Sequence, residues 1–220
     1  MFFKFHKKYR ELIVSTVRDP ASTRNAIMKA AEQIFVEQGF AATSMSAIAR
    51  KAKVTKSLIH HHFGAKKDLW NEIKHKQFSQ FADMQQALLK STHMDADLLK
   101  ESIMQYFRYL QKNPQHSRFL LWMKIEADDA CGDLANEMIS LGVKGLQKAQ
   151  KQGVFRNDVD PLFILMTFLG MAELWFEKKH QFLRSCTESQ REDGDSDEAY
   201  LESMLKIFFD GVLPDKSSLQ

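Results

Sequence analysis

The densest run of chemically capable side chains is Lys56-Ser57-Leu58-Ile59-His60-His61-His62-Phe63. Three adjacent histidines invite a metal-site reading. On a helix, however, successive side chains turn by about 100°, so these three fan over about 200° and cannot converge on one ion. The same geometry puts Ile59 and Phe63 on one face and turns Ser57, His60 and His61 elsewhere. With Ile59, His62 and Phe63 packed in a core, Lys56, Ser57, Leu58, His60 and His61 are free to enter a DNA major groove. Lys56 would reach a guanine edge or a phosphate, and Leu58 a thymine methyl. Thr55, just before the run, and Thr43 and Ser44 upstream belong with them. Thr43 sits where a helix N-terminus presents a hydroxyl and N–H groups to a phosphate oxygen. Lys66, opening the next helix, would do the same with a full charge.

Other chemistries find less support. The acidic cluster Glu126, Asp128, Asp129 and Asp133 lacks calcium-loop spacing and its glycine, and reads as a solvated helix end. Cys131 and Cys186 have no flanking cations to lower a thiol pKa, and two cysteines make neither a disulfide framework nor a zinc site. The chain holds no GxSxG, P-loop, dinucleotide glycine turn or HExxH, so no enzyme motif and no cofactor is expected. No apolar window is long enough for a membrane span, and the N-terminus has no secretory pattern. These features point to a cytoplasmic location.

The elements that must position the run are helices. Nine Gly and four Pro in 220 residues leave too few turns for an all-β fold. From Thr23 to Gln38, Ile27, Ala30, Ala31, Ile34 and Phe35 fall at helical spacing, and Gly39 is the stop. Thr43 or Ser44 caps a short helix through Met45, Ile48, Ala49 and Ala52, and a turn near Lys53–Thr55 leads into Lys56–His62. Gly64 ends that helix, and Lys66 opens a long one to about Lys90. Further helices are expected over Leu98–Leu110, Gln115–Ala127, Leu134–Lys151, from Pro161 onward and over Tyr200–Val212. Between the last two, SCTESQREDGDSDE reads as an acidic loop. Charge divides along the chain: residues 1–80 hold 15 Lys and Arg against 6 Asp and Glu, and the remainder holds 16 against 22. A basic N-terminal part suits a polyanion.

The stretch from Gly39 to Trp70 resembles the DNA-binding domain of the TetR/AcrR family of bacterial transcription regulators. The matching points are Gly39-Phe40, Ala42-Thr43-Ser44, Ile48-Ala49, Ala52, Val54-Thr55-Lys56, His62-Phe63, Lys66 and Asp68-Leu69. With the preceding helix the likeness covers about residues 23–70. His60 stands where the family usually has Tyr, Ser57 where Gly is frequent, and Leu58 where a small or polar residue is usual. The resemblance implies an all-α protein: an N-terminal three-helix helix-turn-helix domain followed by a C-terminal helical ligand-binding and dimerisation domain. The division is an extension over 1–22, a DNA-binding domain over 23–68 and an effector-binding and dimerisation domain over 69–220.

Eleven Met and 17 Phe are many for this length. Most must form core and a dimer seam, yet helical bundles also enclose apolar cavities, to whose varied ligands Met adapts. The resemblance implies such a pocket, and Met104, Phe107, Phe119, Trp122, Met123, Met138, Phe163, Met166 and Trp175 are its expected lining. Phe163–Phe176 and Tyr200–Phe209 are the expected dimer surfaces, pairing the last two long helices into a homodimer. Implied partners are double-stranded DNA, carrying an approximately palindromic operator, and a small hydrophobic or aromatic effector. The implied function is a repressor released by that effector. The competing reading is an architectural or cell-division factor of the same fold that binds DNA without a small molecule.

Overall fold

The computed structural model describes residues 19–89, 95–128, 132–185 and 193–214, and its regular structure there is entirely helical. The helices are α1 (Pro20–Ala42), α2 (Met45–Ala52), α3 (Lys56–Phe63), α4 (Lys66–Leu89), α5 (Ala96–Lys112), α6 (Pro114–Ile125), α7 (Gly132–Lys151), α8 (Pro161–Ser185) and α9 (Asp193–Val212). Residues 1–18, Asp129, Cys131 and Cys186 lie outside the described residues. Two compact units emerge, Met1–Ile73 and Lys74–Gln220, with their boundary inside α4. No described helix is long and apolar enough to cross a membrane.

The first unit is built by local rules. Asp19 caps α1 through Ser22 N, and Pro20 occupies the first turn, where its missing N–H costs nothing. Near its end, Gly39 adopts φ 78°, the left-handed region, which breaks the helix and leaves one further turn to Ala42. Ser44 caps α2 by accepting from Ala47 N at 3.1 Å, and Thr55 caps α3 by accepting from Leu58 N at 3.3 Å. Between α2 and α3, Lys53 takes the left-handed conformation and closes the turn. Ile27, Phe35, Ile48, Ile59, Leu69 and Trp70 are fully buried and make the core. Phe35 meets Trp70 edge-on at 4.9 Å, a contact contributing about 0.5–1.5 kcal/mol beyond its area.

The second unit surrounds α8, which packs against α5, α6, α7 and α9. Its core includes Ile103, Phe107, Leu110, Leu146, Phe155 and Ile164. The expected acidic loop is shorter than the sequence suggests, because α9 begins at Asp193 and not near Tyr200. Asp197, buried despite its charge, explains the difference. Its carboxylate accepts from Trp175 Nε1 at 2.8 Å, from Lys179 Nζ at 2.9 Å and from Gln111 Nε2 at 3.1 Å. Burial raises its pKa, and the three donors together outweigh that and hold it below the usual value. An acidic residue can therefore anchor a helix start here, because a cation and two further donors converge on it.

Candidate nucleic-acid interface and ligand cavity

In the first unit, α3 presents two unlike faces. Ile59 and Phe63 are buried, and Arg24 lies 4.8 Å from the Phe63 ring centroid. Lys56, Ser57, His60 and His61 are exposed, and Leu58 and His62 are half-buried. Lys56 has no ion-pair partner among the described residues. The Thr55 and Ser57 hydroxyls stand 3.0 Å apart, so these two share a hydrogen bond across the helix start. His60 Nδ1 lies 2.8 Å from the Gly64 carbonyl oxygen. A carbonyl can only accept, so Nδ1 carries the proton and Nε2 is left for an outside partner. Gly64 itself has φ 74°, and a Cβ there would meet Asp68 Oδ2 at 2.8 Å. That oxygen accepts from Ala65 N, fixing the start of α4.

Two expected phosphate contacts are corrected. Thr43 is buried, and its hydroxyl donates to the Gly39 carbonyl at 2.6 Å, so it does not face outward. Lys66 is also turned inward. Its ammonium donates to the carbonyls of Phe40 at 2.8 Å and Thr43 at 2.9 Å, and lies 4.2 Å from the Phe40 ring centroid. These carbonyls sit where α1 ends, and helix ends carry partial negative charge and unpaired oxygens. Lys66 thus braces the α1–α2 corner. Ser44 remains exposed, with its hydroxyl used in the α2 cap.

The second unit contains a cavity of about 350 Å³. Its wall is mainly Phe78, Phe81, Leu120, Met123, Met138, Ile139, Leu165 and Phe168, with Gln85, Ser102, Tyr106, His116, Lys124, Asp128 and Glu173 as polar members. Of the nine expected lining residues, only Met123 and Met138 reach it. Phe107 and Phe119 are fully buried in the core. Trp175 stacks on Tyr200 at 4.2 Å with its N–H bound to Asp197. Met104 borders an open surface depression, and Trp122 a second pocket of about 360 Å³ that shares Leu120, Lys124 and Glu173 with the cavity. Phe163 and Met166 point outward, each 59% exposed. The sequence did carry one overlooked signal: Phe78, Phe81 and Gln85 recur at helical spacing along α4.

The polar wall groups are tied to one another. Tyr106 donates to Glu173 at 2.8 Å, and Lys124 lies 3.5 Å from the same carboxylate. Burial and the adjacent Glu173 charge push the Tyr106 phenol well above its ordinary pKa. Ser102 donates to Gln85 Oε1 at 2.6 Å. The nearly buried Lys74 pairs with Asp128 at 3.0 Å. His116, only 2% exposed, holds Nδ1 3.0 Å from Gln77 Oε1, and burial lowers its pKa to about 4.

The first unit thus presents a short helix with an exposed polar face, and the second holds a largely apolar cavity. Two family descriptions match in order along the chain: bacterial regulatory proteins of the tetR family over residues 27–73, and the tetracyclin repressor-like C-terminal domain over residues 99–203. The chain belongs to the TetR family of transcriptional regulators, whose members bind DNA, act as dimers and respond to small molecules. It is 28% identical over 180 residues to the Escherichia coli K12 protein named "Probable acrEF/envCD operon repressor", spanning 73% of this chain and 79% of that one. The Brucella suis repressor BepR is 41% identical over 58 residues, covering 26% of this chain and 28% of the repressor. Among solved structures, a Streptomyces coelicolor transcriptional regulator superposes with TM-score 0.69 at 20% identity, over 86% of this chain and 98% of that one. The Mycobacterium tuberculosis ketosteroid regulator KstR2 gives TM-score 0.64 at 16% identity, over 87% and 95%. At these identities the structural likenesses speak for the fold alone.

Proposed function

We propose that the chain is a cytoplasmic, homodimeric repressor, released from an approximately palindromic operator when a small, largely apolar molecule fills the cavity. The observation that carries the DNA half is α3 itself: Ile59 and Phe63 are buried, while Lys56, Ser57, His60 and His61 face out from the same two turns. Those four, with Leu58, read base edges, and the capped starts of α2 and α3 at Ser44 and Thr55 offer N–H groups to phosphates. On this reading the DNA-binding domain spans 23–68 and the effector and dimer domain 69–220.

The dimer half rests on an uncovered apolar stripe. Phe163, Met166, Leu174 and Phe182 on α8 and Ile207 on α9 are each more than half exposed in the single chain. Gly170 and Gly211 add open positions where a Cβ would touch nothing. Such a stripe suits a second copy related by two-fold symmetry, which would also place two α3 helices on one DNA face.

Release requires only that the cavity bind its ligand better in a state with poor DNA affinity. A coupling of about 1–3 kcal/mol would weaken operator binding roughly 5- to 150-fold. The decisive experiment compares Lys56→Ala and His61→Ala on a panel of operator variants at fixed salt. Each is expected to relax preference at particular base pairs by about 1–3 kcal/mol. Unchanged discrimination in both variants would show that α3 is not the reading helix.

A further inference from the structure

The cavity proposed above as the effector site has a feature that its apolar character does not require. Every charge on its wall already has a partner within the protein. Lys124 faces Glu173 at 3.5 Å, and Lys74 neutralises Asp128 at 3.0 Å. The neutral groups are matched as well, Tyr106 with Glu173 and Ser102 with Gln85. A ligand bearing a net charge would meet no spare buried counter-charge among the described residues. Breaking the nearly buried Lys74–Asp128 pair, or leaving an ion desolvated beside it, is costly, whereas the contact of Lys124, whose side chain is 61% exposed, with Glu173 is screened by water and adds little.

One wall group differs. The His116 ring lines the cavity, edge-on to Phe78 at 6.0 Å and to Tyr109 at 5.0 Å. Its Nδ1 is held 3.0 Å from Gln77 Oε1, with the Tyr109 hydroxyl further off at 3.5 Å. The amide oxygen only accepts, so the ring proton sits on Nδ1. Nε2 then carries a bare lone pair and has no hydrogen-bond partner among the described residues. The ring is 98% shielded from solvent, in surroundings that keep it uncharged at neutral pH. Nε2 keeps some solvent contact, and as an acceptor on a mainly hydrocarbon wall it is a point of recognition where a ligand donor can take the place of water.

We propose that the cavity selects an uncharged, mainly apolar molecule bearing one O–H or N–H group, and that this group donates its hydrogen bond to Nε2 of His116. The inference rests on the cavity being the effector site, and it specifies what the site accepts. His116 is the specificity residue, Gln77 positions it by holding the tautomer, and the paired charges exclude ions.

Four naphthalenes of similar size test this: 2-naphthol, 2-methoxynaphthalene, 2-naphthoate and 2-(trimethylammonio)naphthalene. Binding to the full chain is measured calorimetrically at pH 7.5. 2-Naphthol is expected to bind about 3- to 10-fold more tightly than its methyl ether, the difference of one neutral hydrogen bond, and both ions more weakly than the ether. His116→Phe keeps an aromatic ring and removes the acceptor, so the naphthol-to-ether ratio should fall to about one. A role in packing alone would weaken both neutral probes and leave their ratio unchanged. The wild-type ratios stand as a test even if the variant fails to fold. Equal binding of naphthol and ether, tighter binding of either ion, or no binding of any probe overturns the inference. DNA discrimination by Lys56→Ala and His61→Ala is read without any probe, so failure here and failure of the regulator reading remain distinguishable.

Discussion

Lys66 offers the sharpest separation between two roles for one cation. A phosphate-binding lysine contributes to DNA affinity through counterion release, and its removal lowers the salt slope by about 0.9 while leaving the free protein intact. A brace does the reverse. The Lys66 ammonium makes two bonds to carbonyl oxygens, at 2.8 and 2.9 Å, and sits over the Phe40 ring at 4.2 Å. Hydrogen bonds to a charged group contribute about 1.5–3 kcal/mol when buried, and a cation over an aromatic face about 0.5–1 kcal/mol when partly wet. Lys66 is only half-buried, which discounts the first figure. We expect Lys66→Ala to destabilise the first unit by about 2 kcal/mol, since the Phe40 and Thr43 carbonyls each lose a charged donor, the Phe40 oxygen keeping only its bond from Thr43 N at 3.2 Å. Lys66→Met should recover part of that through its stem against Phe40. The assay pairs urea unfolding with operator titrations between 50 and 300 mM salt, taken here as about the range over which counterion release is readable. Reduced stability with an unchanged salt slope supports the brace. A slope lowered by about one unit with unchanged stability refutes it and returns Lys66 to the phosphate backbone.

Two further outcomes follow from the second unit. Met166→Glu places a carboxylate in the middle of the exposed α8 stripe, where Met166 is 59% exposed in the single chain, so the monomer should fold and the dimer should not form. Sedimentation equilibrium at micromolar concentration reads this directly, and an undisturbed dimer would move the interface elsewhere. His116 gives a pH dependence of defined sign. Its folded pKa of about 4 lies below the ordinary histidine value, so between about 6.5 and 4 the unfolded chain takes up a proton that the folded chain refuses. Stability should therefore be unaffected above pH 7 and fall as pH drops through that window, by about 3 kcal/mol in all. His116→Phe should remove this portion of the acid-side loss, and an identical pH profile in the variant would contradict the burial argument.

What the sequence disclosed and what it withheld divide by the range of the interactions. Gly39, Ser44, Thr55, Gly64, Asn113-Pro114 and Pro161 act on their own turn or the next, so the helix limits they set agree closely with α1 to α8. The α3 faces were equally legible, because two buried residues four apart fix the rotation of an eight-residue helix. The Lys66 brace joins residues 23 and 26 positions apart, which no local pattern reports. The cavity was harder still. A large apolar side chain satisfies core, cavity wall and exposed face alike, and Phe107, Met123 and Phe163 went to those three fates respectively. Only the relative rotation of packed helices sorts them. Polar residues were discounted, yet Gln77, Tyr106, His116 and Glu173 give the chamber its chemistry. Asp197 was misjudged for the same reason, since its donors come from α5 and α8.

Helix α4 is where these observations meet. One end begins under the Lys66 brace, and further along the same rod Lys74 holds Asp128 and Gln77 holds His116. A ligand bonded to His116 is thus one side chain from the α4 residue Gln77, within the second unit. Tight binding alone would shift nothing, because only the difference in affinity between two arrangements of α4 can be converted into DNA release. On this view the paired charges around the cavity serve a second end. By excluding ions they would leave Nε2 of His116 to uncharged donors, so under the proposal above selectivity and response would both run through that one imidazole.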